Sequence, residues 1–327
     1  MEGGRYKKVY YLPPFLGGIK LLKRNRKPGL KDLISSSKER RNLKLGLIFI
    51  SPWIIGFSMF ILYPIFASLY YSFTDYTMIS APKWIGLSNY TKLFFRDEYF
   101  RISLYNTLYY TLFSVPLDIV FSVAIALLLN TKVEGMSVYR TIYFLPSITP
   151  VVAISILWLW LLNPQYGLVN SILRLIGIEG PGWLTDPVWA KPSLIMMSIW
   201  GTGRAIVIYL AGLQDIPQEL YEAAEIDGAS SLEKVRRITL PLLTPSIFFN
   251  SIIGMIGAFQ TFTQAYIMTG GGPLNSTLFY GLYLYRNAFN YFSMGYASAL
   301  AWILFVIVFL CSLLVFKSSG RWVHYGQ

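Results

Sequence analysis

The chain has 327 residues, 54% of them hydrophobic and only 13% charged, with a formal net charge of +12. A soluble domain carries about a quarter charged residues, so a length that alone would suit two soluble domains does not describe a soluble protein here. The positive charge is not spread over a folded face as a nucleic-acid surface would need: 13 of the 28 Lys and Arg fall within residues 1–44.

Residues 1–44 read as a basic tail. Its stretch "YYLPPFLGGIKLLKRNRK" has two readings. It could lie in a membrane interface with Lys20, Lys23, Arg24, Arg26 and Lys27 on anionic lipid, or it could be a disordered tail that carries the positive-inside charge. Six apolar runs follow, at residues 45–73, 104–129, 141–162, 193–213, 242–263 and 294–316. Each approaches the roughly 20 residues a bilayer crossing needs. The runs are continuous rather than alternating, which excludes a strand barrel, and backbone groups in lipid need internal partners. The expected fold is therefore an all-α membrane protein with six transmembrane helices. Residues 45–317 form its membrane domain and residues 318–327 a short tail.

Orientation follows from the basic residues. With the N-terminus inside, the inner segments hold 20 Lys and Arg and the outer loops 7, with Arg204 left over within a span. Basic residues beside spans stay cytoplasmic, so both termini are expected inside. The first run starts too late and is too long for a cleavable signal peptide and reads as an uncleaved anchor. Cys311 is the one cysteine, which leaves no internal disulfide and no thiol metal cluster, and the lone His324 reads as a solvated tail residue.

Among the outer loops, residues 168–176 have helical apolar spacing. This segment is expected to lie along the outer surface and to break at Gly180, Pro181 and Gly182. A glycine run, "TGGGP", precedes the last span, and it reads either as a flexible turn or as a docking element.

The inner loop between the fourth and fifth runs is different in kind. It contains "LYEAAEIDGASSLEKVRRITLP", a charged stretch in an oily chain. Pro217 suits a first helical position after Asp215, and Glu219 and Glu222 favour the helix dipole. Gly228 suits a left-handed cap. Ser230 and Glu233 have capping-box spacing, Glu233 and Arg237 are placed to pair, and Pro241 is expected to stop the second helix. Physics alone gives helix, glycine turn, helix: a stable hairpin joining two spans, or a small-residue face with an acidic flank that fits a partner's cleft.

These residues resemble the signature loop of permease subunits in binding-protein-dependent ABC importers. The matching positions are Glu222, Ala223, Ala224, Asp227, Gly228, Ala229, Ile238, Leu240 and Pro241, and Val235 stands where that family usually has an aromatic. The segments "YPIFASLYYSFTDY", "LLNPQYGLVN" and "TGGGP" resemble the carbohydrate-importing branch, so the likeness runs over nearly the whole chain after the tail. The resemblance implies a type I ABC importer permease fold, similar to the maltose-type first permease subunit without its large extra outer domain. Residues 214–241 would be the coupling loop, with Glu222, Ala223, Ala224, Asp227, Gly228 and Ala229 docking on a cytoplasmic ATPase. Gly270, Gly271, Gly272 and Pro273 would face the external solute-binding protein. The implied partners are a second homologous permease subunit, two ATPase subunits, the binding protein, a carbohydrate and membrane lipid, in a bacterial inner membrane.

No phosphate-cradling G-x-x-x-x-G-K-[ST] occurs, and no metal-ligand or nucleophile–base constellation is visible. The subunit is expected to be no enzyme and to carry no cofactor, with ATP and Mg on the partner ATPases. Cargo would pass the ionisable span residues Asp118 and Arg204. Arg204 invites a carboxylate or phosphate, which points to an acidic sugar such as a uronic-acid oligosaccharide. The alternatives are a sugar phosphate, or a neutral sugar; in a purely structural reading Arg204 pairs with Asp118 or a carbonyl and only holds helices together. Asn250, Gln260, Thr261 and Gln264 suit sugar hydroxyls or hold helices together, and Tyr209 and Trp200 suit ring stacking. An ion-coupled secondary transporter fits less well, since Asp118 would be its one intramembrane carboxylate.

Overall fold

The computed structural model describes residues 37–131 and 133–324. The basic segment up to residue 36, with its interface-binding lysines and arginines, lies outside the described residues. By internal contacts the chain falls into residues 1–65 and 66–327. The described part of the first unit holds α1 (Ser37–Phe57), a π turn (Ser58–Leu62) and the start of α2 (Tyr63–Ser72). No side chain from Arg40 to Ile65 is buried.

The second unit is almost wholly helical. A two-residue hairpin, β1 (Thr74–Asp75) with β2 (Lys83–Trp84), leads to α3 (Ser88–Phe95). Next comes the longest helix, α4 (Glu98–Leu129). It begins six residues before the apolar run because Asp97 caps it, accepting from Phe100 N at 3.0 Å. The buried Asp97 also takes the hydroxyls of Tyr283 and Tyr296.

The third and fourth runs are not straight. The third is α5 (Met136–Ile148) and α6 (Val151–Leu161), bent by 99°. Pro150 forces the break, since a proline lacks the donor and crowds the turn before it. The fourth is α8 (Pro187–Trp200) and α9 (Gly203–Gln214), bent by 47° at Gly201 and Thr202. Among the described residues, four helices are long and apolar enough to cross a membrane, and each bent pair taken as one span gives the six expected.

Between these pairs, α7 (Leu168–Leu175) is the expected surface helix. It ends earlier than Gly180, at a left-handed Gly177 (φ +77°), with Ile178 N donating to Leu173 O at 2.9 Å.

The inner loop holds α10 (Gln218–Ile226) and α11 (Ser231–Lys234). A π turn (Val235–Thr239) and α12 (Leu240–Phe259) continue from α11. Pro241 therefore does not stop the second helix. The π turn accommodates it: the wider i→i+5 pitch takes Leu240 N to Val235 O, and the Thr239 hydroxyl reaches Lys234 O at 3.3 Å, near where a proline would clash with a tight turn. The chain closes with α13 (Thr263–Met268), α14 (Tyr280–Tyr285) and α15 (Met294–Ser319).

Helix α4 is the hub, packed against α8, α9, α12 and α14. Two apolar cores flank it. One gathers Phe100, Leu194, Phe279, Tyr280 and Leu300; the other, nearer the inner loop, gathers Ala126, Leu129, Tyr209, Leu213 and Leu243. Close helix approach depends on Gly203, where a Cβ would stand 2.6 Å from Tyr143 O of α5.

Candidate functional site

The inner loop is built to hold its shape while exposing its face. Helix α10 buries no side chain. It starts at Gln218 with Pro217 outside it, and Asp215 closes α9 rather than capping α10. At its far end Asp227 N donates to Ala223 O at 3.0 Å and Ala229 N to Ala224 O at 2.8 Å. The turn needs φ +75° at Gly228, a region only glycine enters freely. Ser230 and Glu233 form the expected capping box. Hydrogen bonds from the Ser230 backbone and hydroxyl hold the Glu233 carboxyl below the usual carboxylate range.

Because Glu233 serves the cap, the ion pair of the loop is a different one: Lys234 Nζ meets Glu225 Oε1 at 2.7 Å, tying α11 back to α10. The Tyr221 and Thr239 hydroxyls add a second tie at 2.9 Å. Glu222, Ala223, Asp227 and Gly228 are exposed and Ala224 and Ala229 half-buried. Beside them stand two bare apolar side chains, Ile226 at 88% and Leu232 at 76% exposed. A cleft of about 1160 Å³ opens next to the loop, lined by Asn130, Glu134, Arg140, Gln214, Tyr221 and Lys234.

A second feature lies between the helices. A cavity of about 450 Å³ is lined by Tyr110, Ser114 and Asp118 of α4, Ser198 of α8, Arg204 of α9, and Asn250, Thr261 and Gln264 of and beyond α12. The three α4 residues are spaced four apart, which puts them on one helix face. Asp118 Oδ1 accepts from the Ser122 hydroxyl at 3.5 Å. Arg204 is exposed to the cavity and makes no ion pair with Asp118. It sits in the first turn of α9, a helix whose start has no side-chain cap. The positive end of the helix dipole and the guanidinium thus share one space.

Of the five residues expected along the path, Arg204, Asn250 and Gln264 line this cavity and Tyr209 and Gln260 do not. Tyr209 is fully buried in the inner core, its hydroxyl without a partner. Gln260 ends α12, exposed, outside the cavity wall. Trp200 packs edge-on against Trp158 at 6.1 Å, also outside that wall. Tyr110, Ser114 and Ser198 were missed, although the four-residue spacing of Tyr110, Ser114 and Asp118 was there to read.

The glycine run is no slack turn. Gly270 and Gly271 take φ +55° and +89°, and Thr277 Oγ1 donates to Gly272 O at 2.7 Å. The Arg286 guanidinium binds Gly270 O.

Apolar helices able to cross a bilayer, a polar cavity between them and an exposed polar helical loop at one end define a membrane permease. The chain belongs to the family described as the binding-protein-dependent transport system inner membrane component, whose profile matches residues 118–323. It is 46% identical over 301 residues to the probable ABC transporter permease protein YesP of Bacillus subtilis (strain 168), covering 91% of this chain and 97% of YesP. It is 38% identical over 282 residues to the lactose transport system permease protein LacF of Rhizobium radiobacter, covering 84% and 93%. Its fold matches a chain of the bacterial alginate ABC transporter crystallised with an alginate pentasaccharide-bound periplasmic protein, with a TM-score of 0.77 and 26% identity over 87% of this chain and 96% of that one. The protein is a multi-pass inner-membrane permease of a binding-protein-dependent ABC importer.

Proposed function

We propose that this chain is the translocation subunit of an ATP-driven oligosaccharide importer whose cargo carries an acidic group. The observation that carries this reading is Arg204: a guanidinium in the first turn of an uncapped helix, facing a cavity whose wall also presents the Asp118 carboxylate, the hydroxyl and amide groups of Tyr110, Ser114, Ser198, Thr261, Asn250 and Gln264, and apolar side chains. Arg204 makes no ion pair with Asp118 across that cavity, and a bound carboxylate would give its guanidinium charge-assisted hydrogen bonds. Asn250 and Gln264 would serve the sugar hydroxyls. The likeness to the alginate transporter favours an acidic cargo; the likeness to LacF supports the second reading, a neutral sugar.

The rest of the machine is drawn from the same reading. ATP and Mg act on two separate ATPase subunits, which grip Glu222, Ala223, Asp227 and Gly228. A second homologous permease subunit completes the pathway, and the solute-binding protein docks outside, with Gly270 to Pro273 at the contact. Both termini, including the basic tail of residues 1–44, lie in the cytoplasm. Closure of the ATPases draws the coupling loops together and opens the cavity outward; hydrolysis resets it.

The test uses the complete transporter in liposomes with its binding protein. ATP turnover stimulated by matched acidic and neutral oligosaccharides is compared for wild type and Arg204→Ala. Stimulation by the acidic sugar, lost in the variant, is the expected result. Stimulation by neutral sugar alone, indifferent to the variant, would leave Arg204 structural and the cargo neutral.

A further inference from the structure

At the end of α4 remote from the coupling loop, six residues enclose a cleft of about 330 Å³: Tyr99, Asn275, Leu278, Tyr283, Arg286 and Tyr291. That volume falls within the range of small-ligand pockets, roughly 300–1,000 Å³. Three of the six are tyrosines, two bring amide or guanidinium groups, and no carboxylate lines the space. Tyr99 and Tyr291 are exposed, and the Tyr99 and Tyr283 rings stand 6.4 Å apart at a tilt.

The cleft is held in shape from behind. Buried Asn106 donates to Asn275 O at 2.8 Å and to Leu278 O at 3.2 Å. Thr107 Oγ1 accepts from Tyr280 N at 2.8 Å. The Tyr283 hydroxyl is bound by Asp97, which commits its polar end and leaves the ring as a wall. Arg286 reaches Gly270 O, and Tyr291 N donates to Arg286 O at 2.9 Å. Leu274 and Asn275 take φ +49° and +58°, a backbone region that is costly for residues other than glycine and persists where the surroundings impose it.

A rigid aromatic cleft with polar groups at its rim suits one ligand chemistry well. A sugar ring offers C–H faces that pack on tyrosine rings and hydroxyls that meet amide and guanidinium groups. The walls are already ordered, so little is lost in ordering them on binding. Tyr99 shares α4 with Tyr110 of the central cavity, ~16 Å away by helical rise.

We propose that this cleft is an outer saccharide subsite. A ring of the cargo rests on Tyr99 and Tyr291 while Asn275 and Arg286 bond its hydroxyls, before the cargo moves along α4 to Arg204. The proposal rests on the reading of the chain as a carbohydrate permease and not on the acidity of the cargo.

The test is saturation-transfer NMR on the complete detergent-purified transporter without binding protein, with maltotriose and trimannuronate as probes. Wild type is compared with Tyr291→Ala, Tyr291→Phe and Arg204→Ala. The expected result is a sugar signal in wild type and in Arg204→Ala, reduced roughly fivefold or more in Tyr291→Ala and retained in Tyr291→Phe, which keeps the ring. A wild-type signal in Tyr291→Ala would overturn the subsite. So would a signal abolished by Arg204→Ala alone, which would leave the central cavity as the site observed. Dissociation of the Tyr291→Ala complex on size exclusion would overturn it too, making the cleft a subunit contact. ATP-dependent uptake by the same transporter, reconstituted in liposomes with its binding protein, keeps the two readings apart. Uptake without any signal defeats the subsite alone; no uptake of any oligosaccharide defeats the carbohydrate reading and the subsite with it.

Discussion

The ammonium of Lys234 lies 2.7 Å from the carboxylate of Glu225, so the short helix that leads into the fifth span is bound directly to the exposed helix α10. A push on α10 reaches α12 through that pair, through the Tyr221–Thr239 hydroxyl contact and through the continuous helical backbone from Ser231 onward. Glu225 is 64% exposed, and pairs of this kind contribute less than about 1 kcal/mol to stability. Their worth here is geometric.

Glu225→Lys should therefore leave the protein folded while lowering sugar-stimulated ATP turnover several-fold. The doubly reversed Glu225→Lys/Lys234→Glu variant should recover most of it. Turnover assays on the assembled complex check this, and a double variant no better than the single one would remove the pair from the coupling route.

The turn between the two helices makes a sharper demand. Gly228 stands at φ +75° with open space around its Cα, so a substitution there meets backbone strain rather than a clash. Gly228→Val should cost about 1–2 kcal/mol locally and uncouple ATP turnover, whereas Gly228→Asn, which tolerates this region, should retain much of it. Equal activity in the two variants would contradict the account.

Much of this loop was legible in advance because its signals are local. Ser230 with Glu233, and Gly228 after a short alanine-rich helix, depend on neighbours three or four residues away. What the sequence hid was competition. Glu233 can cap or pair with Arg237 but cannot serve both well, and the cap won. Pro241 reads as a helix stop unless a π turn absorbs it, which no local pattern announces. The bend in the third span has a visible cause in Pro150, but an apolar run alone does not say whether a proline within it kinks the helix or breaks it. In the cavity, Arg204, Asn250 and Gln264 stood out as polar residues in apolar runs. Tyr209 did too, but which way a helix face turns is decided by its packing partners.

Tyr209 offers a clean test of that correction. Its hydroxyl is buried without a partner, so Tyr209→Phe should be near-neutral for stability and for uptake. Tyr209→Ala should destabilise by roughly 3–5 kcal/mol through the cavity it leaves. Thermal unfolding and uptake check both. A selective loss of uptake in Tyr209→Phe would restore Tyr209 to the cargo path.

Helix contact at the bend should be equally sensitive. Gly203 faces Tyr143 O with no room for a Cβ, whereas Gly46 in α1 has nothing within 4 Å. Gly203→Leu should lower stability by roughly 1–3 kcal/mol or block folding, and Gly46→Ala should be tolerated. Melting of the purified variants distinguishes them, and a stable Gly203→Leu protein would mean that α5 and α9 do not pack as closely as described.

The central claim is that an exposed loop, and no chemistry on this chain, links ATP hydrolysis to the cavity. The most direct measurement is substrate-stimulated ATP turnover of the reconstituted transporter carrying Glu222→Lys, with insertion and subunit assembly checked on the same sample. The account predicts a correctly inserted protein whose ATP turnover no longer responds to cargo and binding protein. Normal stimulated turnover in an assembled Glu222→Lys complex would contradict it.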